Sequence, residues 1–244
     1  MSKRSTYLKA IREKLDQVEY DPAIKDAATR IVQAIEAKKT IYTFGASHAG
    51  ILSEELFYRA GGLALFNPIF DPSLMLNVRP ITRTSQAEQL EGYGDIIASS
   101  VAWESGDVLL THSVSGRNPV MIDLVTHAKE RGVTVIAITN VTYSSESKSR
   151  HSTGLRLFEL ADIIIDNHGE TGDATVSFDG LPQAVAPTST VIGAAIVNSI
   201  LVEIVELLLA KGIDPPIFYS ANIDGTKAHN DAIFEAYKTQ IRYM

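Results

Sequence analysis

The 244-residue chain is 45% hydrophobic and 21% charged, with a formal net charge of -7. That composition belongs to a globular protein and argues against broad nucleic-acid binding, which draws on clustered Lys and Arg. With no cysteine in the chain, disulfides, a Cys nucleophile and thiolate metal sites are excluded.

The N-terminus from Met1 to Leu15 is charged and lacks the apolar core of a signal peptide, so a cytoplasmic location is expected. Tyr7 to Ala37 reads as two helices broken near Asp21-Pro22, with Ala27, Ile31, Ala34 and Ile35 at helical spacing in the second. Thr40 to Phe44 is a short β-rich run ending at Gly45, followed by helix-forming residues up to Gly61-Gly62. Further strands are predicted at Leu63 to Phe66, Asp107 to Thr111, Val133 to Ile138 and Ala161 to Ile165. The long apolar stretch from Val191 to Ala210 contains Asn198, Ser199, Glu203 and Glu206. Two carboxylates make it a buried or dimer-facing helix rather than a bilayer span, so no membrane partner is expected.

Alternating short apolar strands and amphipathic helices imply an α/β fold with a parallel sheet covered on both faces. The whole chain, 1–244, is expected to form a single domain, with a helical extension over about 1–37 and a C-terminal one over about 213–244. Ligands of such sheets bind outside the strand C-termini, which directs attention to the loops that follow the strands.

Two of those loops carry chemistry. In Phe44-Gly45-Ala46-Ser47-His48-Ala49-Gly50, Gly45 permits a tight turn and the following N–H groups face outward at a helix start. It is no dinucleotide fingerprint, because Ser47 stands at the middle glycine, and no P-loop, because Gly-Lys-Ser/Thr is missing. The closing glycine of a nucleophile elbow is also missing. The second loop, Ser113-Val114-Ser115-Gly116-Arg117-Asn118-Pro119, leaves a strand through two serines and a glycine. Asn118 reads as an N-cap and Pro119 as the first helical residue. Hydroxyls of Ser113 and Ser115 and free N–H groups around Gly116 suit a phosphate dianion. A plain hydroxyl-rich turn is the competing reading for each loop alone.

Phe44-Gly45-x-x-His48, then Ser113-x-Ser115-Gly116-Arg117-Asn118-Pro119, then Ala137-Ile138-Thr139 resemble the sugar isomerase (SIS) domain. The resemblance is nearest to a bacterial branch with a longer C-terminal tail and covers nearly all of the chain. It implies a three-layer αβα sandwich around a five-stranded parallel sheet, dimerising through helices and binding phosphosugars with its serine loops, without a cofactor. Members include aldose–ketose isomerases, an etherase and sugar-sensing regulators. The implied phosphosugar contacts are Gly45, Ala46, Ser47, Ser113, Ser115, Gly116 and Asn118. The first loop departs from the pattern, with Ser47 at the usual second glycine and Ala49 at the usual serine.

Isomerisation moves a proton between adjacent carbons and needs a carboxylate or imidazole in reach. Glu54 and Glu55 follow the first loop, and Glu55 is the favoured base, with His48 inside that loop as its companion. A salt bridge from Glu55 to Arg59 is the competing use of that carboxylate. Glu91 and His229 are further candidates. His151 is another, while His112 is expected to pack into the sheet. Arg79, Arg83 and Arg150 lie in long polar connections that could fold over a ligand. No metal is expected, since no His pair has zinc-helix spacing. Two readings follow: a phosphosugar isomerase or related lyase, or a phosphosugar-sensing binding module.

Overall fold

The computed structural model describes residues 2–244. Helices α1 (Lys3–Glu19) and α2 (Pro22–Glu36) are separated at Asp21, whose carboxylate accepts from the Ala23 N–H at 2.9 Å and caps the second helix. Strands β1 (Ile41–Gly45), β2 (Phe66–Pro68), β3 (Val108–His112), β4 (Thr134–Thr139) and β5 (Ile163–Asp166) form one parallel sheet in the order β2-β1-β3-β4-β5.

The strands are apolar on both faces because both are covered. Ile41, Val108, Leu110, Ile136, Ile138 and Ile165 pack with α2, α3 (Ile51–Leu56) and α9 (Ser189–Ala210). Tyr42, Phe44, Leu109, Val135 and Ala137 face the other way. They meet α5 (Tyr93–Ser99), α6 (Pro119–Glu130) and α8 (Leu157–Leu160). The remaining helices are α4 (Thr82–Glu88), α7 (Val141–Glu146) and α10 (Lys227–Ala236). Helix α9 is long and apolar enough to cross a membrane by length and composition. Its Ile192, Ile196, Ile200 and Ile204 are instead fully buried inside the protein.

The first helix begins at Lys3, four residues before the expected Tyr7, and three other expected boundaries move for a tertiary reason. The helix after the first loop stops at Leu56, not Gly61, because Phe57 turns extended and packs edge-on against Phe70 and Tyr243 at 5.6 and 5.0 Å. The second strand begins at Phe66 rather than Leu63, because Leu63 bridges antiparallel to Ile217 and the Ala64 N–H donates to the Pro216 carbonyl. The C-terminal tail thus covers the β2 edge, where Asn67 donates to the Gln240 carbonyl at 2.9 Å and accepts from the Arg242 N–H at 2.6 Å. The fifth strand runs from Ile163, two residues late, because Asp162 turns to accept from the Val135 N–H.

Asp107 is fully buried and joins β1 to β3, accepting from the Thr40 N–H at 2.9 Å and the Glu104 N–H at 2.8 Å. Burial pushes its carboxyl above the usual range. Gly94 of α5 packs directly on α6, where an added Cβ would lie 2.2 Å from the Val120 carbonyl oxygen. Gly94→Ala is therefore expected to overpack this contact and destabilise the chain by about 1–3 kcal/mol, read as a lower urea midpoint.

Candidate functional site

Helix α3, after β1, lies on one face of the sheet, and α6, after β3, lies on the other. The crevice between the two departing loops is a cleft of about 290 Å³. Its lining combines the first loop (Ala46, Ser47, His48, Ala49) and the second (Ser113, Val114, Ser115, Asn118) with Glu88, Tyr143, Gly172 and Asp173.

Steric demands shape the first loop. A Cβ on Gly45 would fall 2.5 Å from the Ala49 carbonyl oxygen, so the turn closes only over glycine. Ser47 has φ +53°, the left-handed conformation that a glycine would take without strain. Its hydroxyl donates to Glu88, a bond that a glycine would lack. His112, at the end of β3, supports the loop from below, its Nδ1–H donating to the Ala49 carbonyl at 3.2 Å. Its Nε2 is buried and without a partner among the described residues. Burial pushes the imidazole down to about 4, so the ring is neutral at pH 7.

The second loop turns four of its carbonyls out of the cleft. Those of Ser113 and Val114 accept from the Thr139 hydroxyl at 2.7 Å and the Asn140 N–H at 3.0 Å. Those of Gly116 and Arg117 accept from the Leu157 N–H at 2.8 Å and the Arg150 N–H at 3.0 Å. Gly116 is left-handed (φ +57°), and a Cβ there would press on Ser144 and Leu157 at 3.0 and 3.1 Å. Its N–H donates to the Ser113 hydroxyl oxygen at 3.3 Å. With the carbonyls engaged behind it, this loop presents hydroxyls and the start of α6 to the cleft, an arrangement suited to an anion.

Asn118 joins the two walls. Its Nδ2 donates to Glu88 at 2.7 Å, and its Oδ1 accepts from the Arg150 guanidinium at 2.9 Å. Glu88 therefore bridges both loops through Ser47 and Asn118. The sequence reading missed Glu88, since it ends a polar helix with no motif and singled-out Glu91 lies three residues on. Asp173 was missed as well. It accepts from the N–H groups of Thr188 and Ser189 at 3.2 and 3.0 Å, capping α9.

The expected proton-transfer residues are dispersed. His48 is exposed on the cleft wall. Glu55 is outside the lining, bonded to Arg59 and to Asn198 of α9 at 3.0 Å. His229 stacks on Tyr219 at 3.6 Å in the C-terminal extension, its Nε2–H donating to the Ile217 carbonyl. Glu91 accepts from the Ser152 hydroxyl and N–H, which hold its carboxyl below the usual range. His151, beside it, reaches buried Asp123 at 2.9 Å. Asp123 also accepts from Gly92 and Gly94, so it ties the end of the Glu88 segment to the segment bearing Arg150. Among the described residues Arg79 donates only to the nearby Leu76 and Val78 carbonyls. Among the described residues no group of three His, Asp or Glu side chains is arranged to hold a metal ion.

A parallel α/β sheet with a serine-lined cleft at its switch point defines the class. The SIS domain model matches residues 6–140, and the chain belongs to that family. It is 54% identical over 246 residues to a UPF0309 protein of Shouchella clausii, covering 100% of both chains. It is 38% identical over 239 residues to a UPF0309 protein of Halalkalibacterium halodurans, covering 97% of this chain and 95% of that one. A solved phosphoheptose isomerase from Francisella tularensis shares the fold, with a TM-score of 0.50 at 18% identity over 84% of this chain and 98% of that one.

The His112 shift predicts a stability change with pH. Above 6.5 the ring is neutral in folded and unfolded chains alike; between 6.5 and about 4 only the unfolded chain gains the proton. This group's share of stability, about 3 kcal/mol, is therefore intact above pH 6.5 and lost progressively down to about pH 4. His112→Asn keeps a donor for Ala49. Its unfolding free energy, measured by urea titration across this range, is expected to fall less steeply than that of the natural chain. In a second test, His151→Ala is expected to accelerate amide exchange at Arg150 and Leu157 while exchange in β3 and β4 stays unchanged.

Proposed function

We propose that the cleft binds a phosphorylated sugar and that the chain isomerises it between aldose and ketose forms. The observation that carries this reading is the second loop, whose Ser113, Val114, Gly116 and Arg117 carbonyls are held behind it while Ser113, Ser115 and the start of α6 face the cleft. Family membership and the fold shared with a phosphoheptose isomerase support the same reading.

Charge orients the ligand. A phosphate dianion beside Glu88 would meet like charge, so it belongs on the Ser113–Ser115 side with Arg150 behind Asn118. The sugar carbons then lie toward Ser47, His48 and Glu88. Glu88, rather than Glu55, is the carboxylate positioned to take a proton from C2 and return it to C1. His48 is placed to serve the carbonyl and hydroxyl oxygens. Tyr143 and the Gly172–Asp173 turn close the remaining side.

One observation favours a binding-only reading. Glu88 already holds Ser47 and Asn118, so it can act as a latch between the loops that a ligand opens.

Thermal unfolding against hexose, hexosamine, heptose and pentose phosphates, each beside its unphosphorylated partner, tests the ligand class. A phosphosugar at a hundred times its Kd is expected to stabilise by about 2.7 kcal/mol. Ser115→Ala with Asn118→Ala is expected to abolish that stabilisation, and unchanged stabilisation would remove the loop from phosphate binding. Glu88→Gln is expected to keep the stabilisation and lower turnover by about 100-fold or more. Undiminished turnover would assign proton transfer elsewhere, and stabilisation without turnover in the natural chain would leave the binding module.

A further inference from the structure

A separate cavity of about 370 Å³ lies at the β1–β2 edge of the sheet and shares no lining residue with the cleft. Its size falls near the lower end of the range for small-molecule sites, about 300–1,000 Å³. Three aromatic rings line it: Tyr42 of β1, Phe70 beyond β2, and Tyr243 of the C-terminal tail. Each ring is fixed by a neighbour that is not itself in the lining. Trp103 meets Tyr42 edge-on at 4.7 Å, and Phe57 meets both Phe70 and Tyr243 edge-on. The Tyr243 hydroxyl is tied to the Ala64 carbonyl at 2.7 Å, yet Phe70 is left 39% exposed.

Most of the polar groups around the cavity are already engaged. The Asn67 amide donates to the Ile41, Leu65 and Gln240 carbonyls and accepts from the Arg242 N–H. The Tyr42 hydroxyl donates to the Ala102 carbonyl at 3.2 Å. Arg242 is the exception, and it is the one charged side chain in the lining. Among the described residues its guanidinium makes no hydrogen bond. The only carboxylate within ion-pair distance is Glu104 at 3.9 Å, which Lys39 already meets at 3.2 Å. Burial and Asp107 push the Tyr42 phenol above its usual range, and the Arg242 charge is close enough to oppose them.

These features select a ligand. The planar fork of a guanidinium matches a carboxylate with two parallel hydrogen bonds. Rings held edge-on from behind offer their remaining surface to another flat, apolar body. A phosphate dianion fits poorly here, because one cation must balance two charges with Glu104 beside it. We propose that this cavity is a second ligand site that takes a small, planar aromatic carboxylate. The ring lies among Tyr42, Phe70 and Tyr243, and the carboxylate accepts from Arg242. Ile69 and Phe70 line both this cavity and the small space beside the first cleft loop, with Gly45 and Ser47. The ligand therefore rests on residues that also back that loop. The assignment is independent of what the cleft binds.

Trp103 is the only tryptophan in the chain, and its contact with Tyr42 makes its fluorescence a reporter of the cavity. Titration of the natural chain with para-ethylbenzoate is expected to change that emission saturably, with a Kd of about 1 mM or tighter. Calorimetry is expected to give the same Kd. The alcohol para-ethylbenzyl alcohol, the dianion para-ethylphenyl phosphate, and acetate are each expected to bind about tenfold more weakly or worse. Arg242→Gln keeps the backbone bond to Asn67 and is expected to weaken para-ethylbenzoate binding about tenfold or more. Phe70→Leu keeps apolar bulk without the ring and is expected to weaken it about threefold. Thermal unfolding checks that each variant is folded, and if one is not, the other decides. Ser115→Ala with Asn118→Ala, in the cleft, is expected to leave this binding unchanged. No saturable binding of para-ethylbenzoate, equal binding of the alcohol or the phosphate, or equal binding by the folded Arg242→Gln chain would each overturn the proposal. Loss of binding in the cleft variant would place the ligand in the cleft and overturn it too.

Discussion

Strand β1 has a neighbour on each side, and the helices that follow β1 and β3 leave toward opposite faces of the sheet. Backbone between two such strands cannot be covered by either helix, so a crevice opens at their C-terminal ends. Everything proposed for the cleft depends on that divergence. It sets two loops against each other at a distance that one carboxylate and one amide can bridge. Asp107 secures the opposite ends of the same two strands, fixing the register from which both loops start.

Within that crevice the decisive chemistry is an accounting of backbone groups. A loop can receive an anion only if its own carbonyl oxygens are kept away from it. Here Thr139 and Asn140 hold two carbonyls from the β4 side, and Leu157 and Arg150 hold two from the outer segment. The outer segment is in turn pinned through His151 to Asp123, which also anchors the turn beyond Glu88. Both walls of the cleft thus share one buried carboxylate as their support.

The first loop shows how a family pattern can be altered without losing its geometry. Where the resemblance leads one to expect glycine, Ser47 adopts the left-handed conformation itself. Its contact with Glu88 offsets part of the strain. Ala49, where a serine is usual, leaves its carbonyl to His112. A buried neutral imidazole beneath a glycine turn is a support, which fits the expectation that His112 packs into the sheet.

Much of this protein was legible in sequence because it is local. Five apolar strands, the Asp21-Pro22 break and the α6 start at Asn118-Pro119 each announce themselves within a few residues. So do the glycines at 45 and 116, whose tight turns leave no room for a Cβ at Gly45 and only a crowded, left-handed position for one at Gly116. Family resemblance extended this to the layer order. What only the tertiary structure decided lies at long separation. Glu88 meets Ser47 across 41 residues and Asn118 across 30, and Asn67 meets the tail across 173. Glu55, which helical spacing offered to the cleft, turns to Asn198 across 143 residues. Hydrophobic periodicity specifies which face of an element is buried, but it carries no information about which polar ends meet once the layers close.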